Sequence, residues 1–267
     1  MTKQFLRINC FDFPITEVPG QKATSAQLDM FFTRYHFLSQ FCKNRDVLEV
    51  ACGGGQGLGY LARAARKVIG GDIDGRILGL VFTRYNDRPN IMVIKLDAHE
   101  LPFEAASFDV VTLLDSIYWL SDQSRFIVEA KRVLRPGGVL VVSSVNPKWL
   151  EFNPSPYSAH YPDSFELFEL IASKGFKAEF YVAFSALPKT EKERIVALVR
   201  RVAVNLNIIP GSIRLKQLLK ALFLGRLSPV PEEVYEGMAR YCEPMKIGPA
   251  DIDNKYKIMY VVAKLSN

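Results

Sequence analysis

The chain has 267 residues, of which 49% are hydrophobic and 23% are charged, and it carries a formal net charge of +6. This length and composition allow one α/β domain with an additional segment, and they exclude a disordered chain. No apolar run reaches the roughly 18 residues of a membrane-spanning helix, and the N-terminus does not read as a signal peptide, so we expect a cytoplasmic protein. The four cysteines form no CxxC pair and have no histidine cluster nearby, which indicates free thiols and no metal site.

The first half of the chain alternates short apolar runs with amphipathic stretches. Apolar residues at spacings of three and four predict a leading helix over 25–43. Strands are then predicted at 46–51, 67–72, 91–97, 107–115 and 139–145, with helices between them at 58–66, 77–85 and 123–133. A turn is expected at Arg135–Gly138, where proline is followed by two glycines. This alternation predicts a doubly wound, mostly parallel sheet with helices on both faces.

The pattern changes after Asn146. Four prolines fall within 147–163, which indicates a structured loop. The remaining predicted elements are a helix at 164–173, a strand at 176–184, helices at 188–207 and 211–224, and a last strand at 255–264. These complete a seven-stranded sheet. The predicted organisation is a core with an N-terminal helical cover over 1–185, a basic helical insertion over 186–254, and the last strand of the core within 255–267.

Positive charge is concentrated in residues 186–226. This segment holds nine basic residues and two acids, a net charge of +7, so the rest of the chain is nearly neutral. Apolar residues such as Leu198, Val199 and Val202 are interleaved with the charges. One interpretation is a helical lid whose apolar face packs on the sheet domain. The other is a basic amphipathic surface that attracts an acidic acceptor or makes weak contact with an anionic membrane.

A glycine-rich turn, Cys52–Gly57, follows the first strand of the predicted sheet. Such a turn lets a ligand approach the backbone closely. A nicotinamide-dependent oxidoreductase would use a similar turn, but its fingerprint requires GxGxxG. Counting from Gly53, the sixth position is Leu58, so that pattern fails here. The glycine-rich turn therefore gives little support to an oxidoreductase, which we keep as an alternative function.

Acidic residues lie at or near the ends of four predicted strands. They are Glu49, Asp72, Asp97 and Asp115. Ligands of parallel α/β sheets bind beyond the carboxyl ends of the strands, so these carboxylates should face one crevice. A carboxylate can accept hydrogen bonds from both hydroxyls of a ribose or from an adenine amino group.

Five motifs together resemble the S-adenosylmethionine-dependent methyltransferases with the Rossmann-like (class I) fold. They are VLEVACGGG (47–55), GDID (71–74), LDAHELPF (96–103), FDVV (108–111) and RVLRPGG (132–138). Their order makes the resemblance specific, and it covers about residues 25–185. It implies S-adenosylmethionine as the cofactor and methyl transfer to a small-molecule or carbohydrate-like acceptor. A protein that binds the cofactor without catalysis is a further alternative.

The resemblance also implies roles for individual residues. In that family the glycine loop cradles the methionine part, the second-strand acid binds ribose, and the third-strand acid with its successor binds adenine. Carried onto this sequence, the cofactor-binding residues are Glu49, Ala51, Gly53, Gly55, Asp72, Ile73, Asp97 and Ala98. Asp115 is expected nearest the cofactor in the methyl-transfer site, and Tyr35 on the leading helix is expected to shield it. Many members have glycine where this chain has Ala51, whose methyl group should narrow the turn without closing it.

His160 is the candidate general base. It lies in the aromatic loop Tyr157–Tyr161, after the fifth strand, where the family binds acceptors. A hydroxyl acceptor would benefit from a base, whereas an amine needs only its neutral form. A histidine that orders the loop is the alternative. A looser similarity, carried by Arg34 and His160, connects the chain to methyltransferases of polysaccharide and glycolipid clusters.

The sequence contains no RNA-binding motif and no Asn-Pro-Pro-aromatic signature, so nucleic acid is not expected as a partner. It does not indicate the oligomeric state.

Overall fold

The computed structural model describes residues 17–188, 191, 194, 195, 198, 199, 202 and 227–265. Within these residues the strands are β1 (Lys22–Ala23), β2 (Asp46–Val50), β3 (Lys67–Asp72), β4 (Ile91–Lys95), β5 (Phe108–Leu114), β6 (Leu134–Val145), β7 (Phe176–Ser185), β8 (Ser228–Pro229), β9 (Met245–Ile247) and β10 (Tyr256–Leu265). The helices are α1 (Ser25–Ser39), α2 (Leu58–Ala62), α3 (Gly75–Tyr85), α4 (Gln123–Val133) and α5 (Ser164–Ala172). Short 3₁₀ helices occur at Ile117–Trp119 and Pro249–Asp251.

Eight of the described strands form one sheet in the order β4-β3-β2-β5-β6-β10-β7-β9. The first five strands of this order are parallel, and β10, β7 and β9 run antiparallel to their neighbours. All seven predicted strands are present, so the α/β fold class is confirmed. The additional strand is β9, a three-residue edge strand that the sequence analysis did not predict.

Helices cover both faces of the sheet, as predicted. On one face, Phe32 of α1, Leu58 of α2 and Val81 of α3 belong to the same buried apolar cluster. On the other face, Phe126 of α4 and Leu167 of α5 belong to a second cluster. Burying apolar surface on both sides of the strands is the main stabilising contribution in such a fold.

Side-chain caps explain where several helices begin. Thr24 accepts a hydrogen bond from the Gln27 N–H, and the Gln27 side chain accepts one from the Thr24 N–H. Asp163 and Glu166 form the same reciprocal arrangement at α5. A capping box satisfies two backbone donors that the first helical turn leaves without a partner.

The glycine pair after Pro136 differs from the prediction. Residues 135–138 lie inside β6 rather than in a separate turn. The register of β6 against β5 shifts between Phe108 and Val110, and Gly137 has a φ of 73°. The glycine therefore supplies a left-handed residue within an irregular strand, which is the conformation a β-bulge needs.

Residues 227–254, assigned to a helical insertion from the sequence, contain no α-helix. This stretch contains β8, β9 and one 3₁₀ helix. Within it, residues 228–242 form a strap that contacts α1, α2 and the glycine loop through backbone and side-chain groups. The strap's Val234 N–H donates to Gln56 O at 2.9 Å, and its Cys242 N–H donates to Thr33 Oγ1 at 3.0 Å. The predicted helices at 188–207 and 211–224 lie largely or wholly outside the described residues.

Candidate functional site

The glycine loop after β2 contains two glycines with left-handed backbones. Gly53 has a φ of 52° and Gly55 has a φ of 65°. A Cβ added to Gly55 would lie 2.3 Å from Val81 Cγ1, so α3 packs directly on this residue. A Cβ added to Gly53 would meet no atom within 4 Å. Gly55 is therefore required by packing, whereas Gly53 borders open space from which a ligand can approach the backbone.

Ala51 adopts a left-handed conformation, with a φ of 55°. An L-residue with a Cβ is disfavoured there by about 1–2 kcal/mol relative to the right-handed region. From the sequence, the Ala51 methyl group is predicted only to narrow the space that a ligand can enter at this turn. The structure adds that this residue stores backbone strain where the loop begins, next to the predicted ligand site.

Asp72, at the end of β3, is connected to the glycine loop. Its Oδ2 accepts a hydrogen bond from the Gly53 N–H at 2.9 Å, and its Oδ1 accepts one from the Asp74 N–H at 3.0 Å. The side chain is largely buried. Each carboxylate oxygen keeps a further acceptor position after these bonds. Asp72 is thus fixed against Gly53 with capacity to accept two more donors, such as a pair of vicinal hydroxyls.

Ile73 follows Asp72 and is 65% exposed, an unusual position for a large apolar side chain. After β4, Asp97 is held by His99: Asp97 Oδ1 accepts from the His99 backbone N–H at 2.8 Å and lies 2.7 Å from His99 Nδ1. The hydrogen bond from the His99 backbone N–H is the main cause that lowers the pKa of Asp97. Ala98 between them is buried. The two strand ends thus present an exposed apolar side chain and an ionised carboxylate.

The role of His99 follows from its two ring nitrogens. Its Nε2 accepts a hydrogen bond from the Asp122 N–H at 3.3 Å. A neutral ring that accepts at Nε2 carries its proton at Nδ1, which then donates to Asp97. His99 therefore orients the carboxylate.

Helix α1 brings a buried arginine to the site that the sequence analysis did not assign to a ligand. Arg34 Nη1 lies 2.8 Å from Glu17 Oε2, and Arg34 Nη2 lies 2.5 Å from Asp115 Oδ2. Burial lowers the pKa of Arg34, and the two carboxylates outweigh this and raise it. The sequence did hold a signal, because Arg34 stands among apolar residues on a helix face that packs on the sheet.

Asp115 is engaged on both oxygens. Its Oδ1 accepts from Ser143 Oγ at 2.7 Å, while Oδ2 pairs with Arg34. Its φ of 45° places it in the left-handed region at the end of β5. The carboxylate is therefore a support for α1 and β6 in this structure, rather than an acceptor with both oxygens open to a ligand.

Glu49 lies beneath α1. Its Oε1 accepts a hydrogen bond from the Tyr35 hydroxyl at 2.8 Å, and its Oε2 is buried without a hydrogen-bond partner among the described residues. The side chain is 2% exposed. Burial raises the pKa of Glu49 to about 7, against the opposing effects of Tyr35 and Arg34. A carboxyl that titrates near neutrality, with one oxygen unpaired, is typical of functional sites.

His160 lies in the aromatic loop Tyr157–Tyr161, the predicted acceptor loop, which follows β6. Its imidazole is 59% exposed, and Nε2 lies 3.1 Å from Glu166 Oε2 at the start of α5. The neighbouring Ala159 N–H donates to Tyr118 O at 2.9 Å. The Tyr118 ring stacks on the Tyr161 ring, with 4.4 Å between the ring centroids. The loop is therefore attached to the segment that follows β5. A histidine paired with a carboxylate and open to solvent can accept a proton.

Two further features concern the described residues only. They contain no group of three or more metal-ligating side chains. Their helices are too short or too polar to cross a membrane.

The central part of the chain matches a known sequence family. Residues 48–142 match the profile described as "Methyltransferase domain". The probable S-adenosylmethionine-dependent methyltransferase of Mycolicibacterium smegmatis is 39% identical over 151 residues, which cover 54% of this chain and 57% of that protein. The match thus spans little more than half of the curated relative.

Another relative has a more specific name. The phthiotriol/phenolphthiotriol dimycocerosates methyltransferase 1 of Mycobacterium ulcerans is 38% identical over 102 residues, which cover 38% of each chain. Among solved structures, a possible histamine N-methyltransferase of Thermotoga maritima aligns with a TM-score of 0.56 at 15% identity and covers 88% of each chain. The comparisons confirm the fold and the resemblance to class I methyltransferases.

Proposed function

We propose that this chain, whose residues 48–142 match a methyltransferase domain, binds S-adenosylmethionine and transfers its methyl group to a small-molecule acceptor. The observation that carries the proposal is the pairing of Gly53 with Asp72. Their 2.9 Å hydrogen bond places an anionic carboxylate beside a backbone that has open space above it. This arrangement suits a ligand with a ribose and an extended chain.

The residues fit the cofactor at each of its parts. Asp72 has acceptor capacity for the ribose hydroxyls, and the exposed Ile73 offers an apolar surface for the adenine ring. Asp97, ionised and oriented by His99, suits the adenine amino group. We assign the methionine part to the loop from Ala51 to Gly55. Carboxylates around the site also favour a ligand with positive charge.

The cofactor supplies a methyl group that is already activated by its sulfonium. The protein's own residues have to orient the acceptor, exclude water and, for a hydroxyl, take up a proton. We propose that His160 takes up the proton of the acceptor hydroxyl and that Glu166 orients its ring. Tyr118 and Tyr161 form an aromatic wall between this loop and the end of β5.

We assign the acceptor to the class of apolar or carbohydrate-bearing alcohols. Three large apolar side chains in or beside the acceptor loop are exposed: Leu150, Tyr157 and Phe165. The name of the Mycobacterium ulcerans relative, which acts on phthiotriol derivatives, supports a lipid-like acceptor. Glycan acceptors belong to the same proposal, since a hydroxyl is the reacting group in both.

The basic segment, residues 186–226, supports a contact between the protein and a membrane surface. Ile195, Leu198, Val199 and Val202 are in helical conformation, and their side chains are exposed rather than packed on the sheet. They are spaced as one helix face. Together with the net charge of +7 over 186–226, this favours weak contact with an anionic membrane that holds the acceptor, over a lid packed through these residues.

Co-sedimentation with vesicles tests the membrane contact. We expect binding to vesicles with anionic lipid at low salt and loss of binding as salt rises, because the Debye length shortens to about 8 Å at physiological ionic strength. Vesicles of neutral lipid are the control. Absence of sedimentation with anionic vesicles at low salt would contradict the contact.

Replacement of Asp72 tests the cofactor site. Asp72→Ala should weaken S-adenosylmethionine binding by roughly 1.5–3 kcal/mol, because the ribose hydroxyls lose a charged acceptor. Isothermal titration calorimetry measures the affinity. Asp87→Ala removes an exposed acid after α3 and serves as the matched control with unchanged affinity. Equal affinity in Asp72→Ala and the parent would remove this residue from the site.

A thermal-shift assay with different cofactors tests the oxidoreductase alternative. We expect S-adenosylmethionine and S-adenosylhomocysteine to bind and stabilise the protein, since a ligand that binds only the folded state raises its melting temperature. Nicotinamide cofactors should leave it unchanged, because the GxGxxG spacing is absent. Stabilisation by a nicotinamide cofactor alone would overturn the proposed function.

A further inference from the structure

Tyr35 connects the covering helix to both the glycine loop and the acid beneath it. Its hydroxyl donates to Glu49 Oε1 at 2.8 Å. Its ring occupies the space where Gly57 would carry a Cβ, which would fall 1.7 Å from the Tyr35 Cε1. Tyr35 is 4% exposed. The ring therefore packs on the loop while the hydroxyl fixes the carboxyl group.

Several charged or titratable groups surround Glu49. Tyr35 and Arg34 come from α1, and Asp72 comes from the end of the neighbouring strand β3. Two buried thiols, Cys42 after α1 and Cys52 in the loop, also feel its charge. Tyr35 and Arg34 favour the ionised carboxylate, whereas burial and Asp72 disfavour it. The balance brings the pKa of Glu49 to about 7.

We propose that Tyr35 is a positioning residue for Glu49, and that the hydrogen bond from its hydroxyl to this carboxyl group sets how the affinity for the cofactor depends on pH. The inference rests on the proposed function, because it assigns the ligand of Glu49 to S-adenosylmethionine. Glu49 is buried, its Oε1 is bonded to Tyr35 of α1 and its Oε2 has no partner among the described residues, so we expect the carboxylate to act on the pocket through its charge in a poorly polarisable environment.

The direction of the pH effect follows from the charges. The sulfonium and the ammonium of the cofactor are cationic, so ionised Glu49 favours binding and protonated Glu49 does not. Affinity should therefore rise as pH increases through about 7, where the pKa of Glu49 lies. Without the Tyr35 hydroxyl the carboxylate loses a hydrogen bond that stabilises its charge, and the midpoint moves to higher pH.

NMR of the ligand-free protein measures whether the Tyr35 hydroxyl shifts the titration of Glu49. With ¹³C in the glutamate carboxyl groups, one resonance should titrate with a midpoint near 7 and disappear in Glu49→Gln. In Tyr35→Phe this midpoint should be higher. Tyr181→Phe is the matched control: it removes the hydroxyl that donates to Glu179 at 2.9 Å on β7, and it should leave the Glu49 resonance unchanged. An unshifted midpoint in Tyr35→Phe overturns the inference whatever the cofactor is.

Calorimetry from pH 5.5 to 9 measures how the affinity for S-adenosylmethionine depends on pH. If the midpoint rises by one unit, the ionised fraction at pH 7 falls from about a half to about a tenth, so Tyr35→Phe should bind S-adenosylmethionine up to about fivefold more weakly there. The loss should vanish at pH 9. Glu49→Gln should retain only the titration of the ligand's own amino group, whose ordinary pKa is about 8.

The outcomes separate two failures. If the parent protein binds no S-adenosylmethionine at any pH, the proposed function fails and the inference fails with it. If the parent binds and Tyr35→Phe loses the same factor at every pH, Tyr35 acts only as packing, and the inference alone is overturned. Recovery of affinity at high pH is the result that a packing role does not produce.

Discussion

Arg34→Met is expected to lower the free energy of unfolding by about 3–5 kcal/mol, because it leaves the Asp115 carboxylate buried without its cation. Asp115 would retain the Ser143 hydroxyl as its donor, and Glu17 is more accessible to water. Methionine keeps most of the aliphatic length of arginine, so the loss reports on charge more than on volume. Urea denaturation at neutral pH measures the change.

The matched control for Arg34→Met is Arg76→Met. Arg76 pairs with Asp74 at 2.7 Å, but its side chain is mostly exposed. Breaking an exposed pair should cost at most about 1 kcal/mol. Equal, small losses in both variants would show that water replaces Arg34 at Asp115, and the buried network would then not hold α1 on the sheet.

His160→Ala is expected to reduce turnover with a hydroxyl acceptor by about 10²–10⁴-fold, the usual contribution of a general base. Binding of S-adenosylmethionine should not change, because His160 lies in the acceptor loop and pairs with Glu166 at 3.1 Å. The rate of S-adenosylhomocysteine formation in the presence of acceptor measures the effect, and calorimetry with the cofactor alone checks binding.

Glu166→Gln is the companion variant for His160. The Glu166 side chain also accepts from the Asp163 N–H at 2.8 Å, and glutamine can retain that bond through its carbonyl oxygen. We expect a smaller loss of rate than in His160→Ala, since the base remains but loses its anionic partner. A nearly unchanged rate in His160→Ala would make His160 a residue that orders the loop.

The strands of the core could be predicted from sequence because each is a short apolar run next to a turn. The predicted strand at 67–72 and helix at 123–133 coincide with β3 and α4. The strap formed by residues 228–242 could not be predicted in this way. It is held by single contacts of different kinds, such as the Val234 N–H on Gln56 O, the ion pair of Glu233 with Arg88 and the burial of Val230. Such contacts depend on the tertiary structure and leave no periodic pattern in the sequence.

Part of the candidate site could also be predicted from the sequence, and part could not. Asp72 and Asp97 lie at strand ends, and parallel strands bring such ends to one edge, so their position followed from the sequence. The partners of Arg34 and Tyr35 did not follow, because they depend on how α1 is rotated over the sheet. Likewise, the engagement of Asp115 by Ser143 depends on the register of β5 against β6.

Transfer of isotope from S-adenosylmethionine labelled in its methyl group tests the central claim most directly. The parent protein would be incubated with the labelled cofactor and a panel of hydroxylated lipids, saccharides and amines. We predict label in a hydroxyl-bearing acceptor, one equivalent of S-adenosylhomocysteine for each methyl transferred, and reduced label with Asp72→Ala at limiting cofactor. Protein that binds the cofactor by calorimetry yet transfers no label to any of these acceptors would contradict the account and identify a cofactor-binding protein without catalysis.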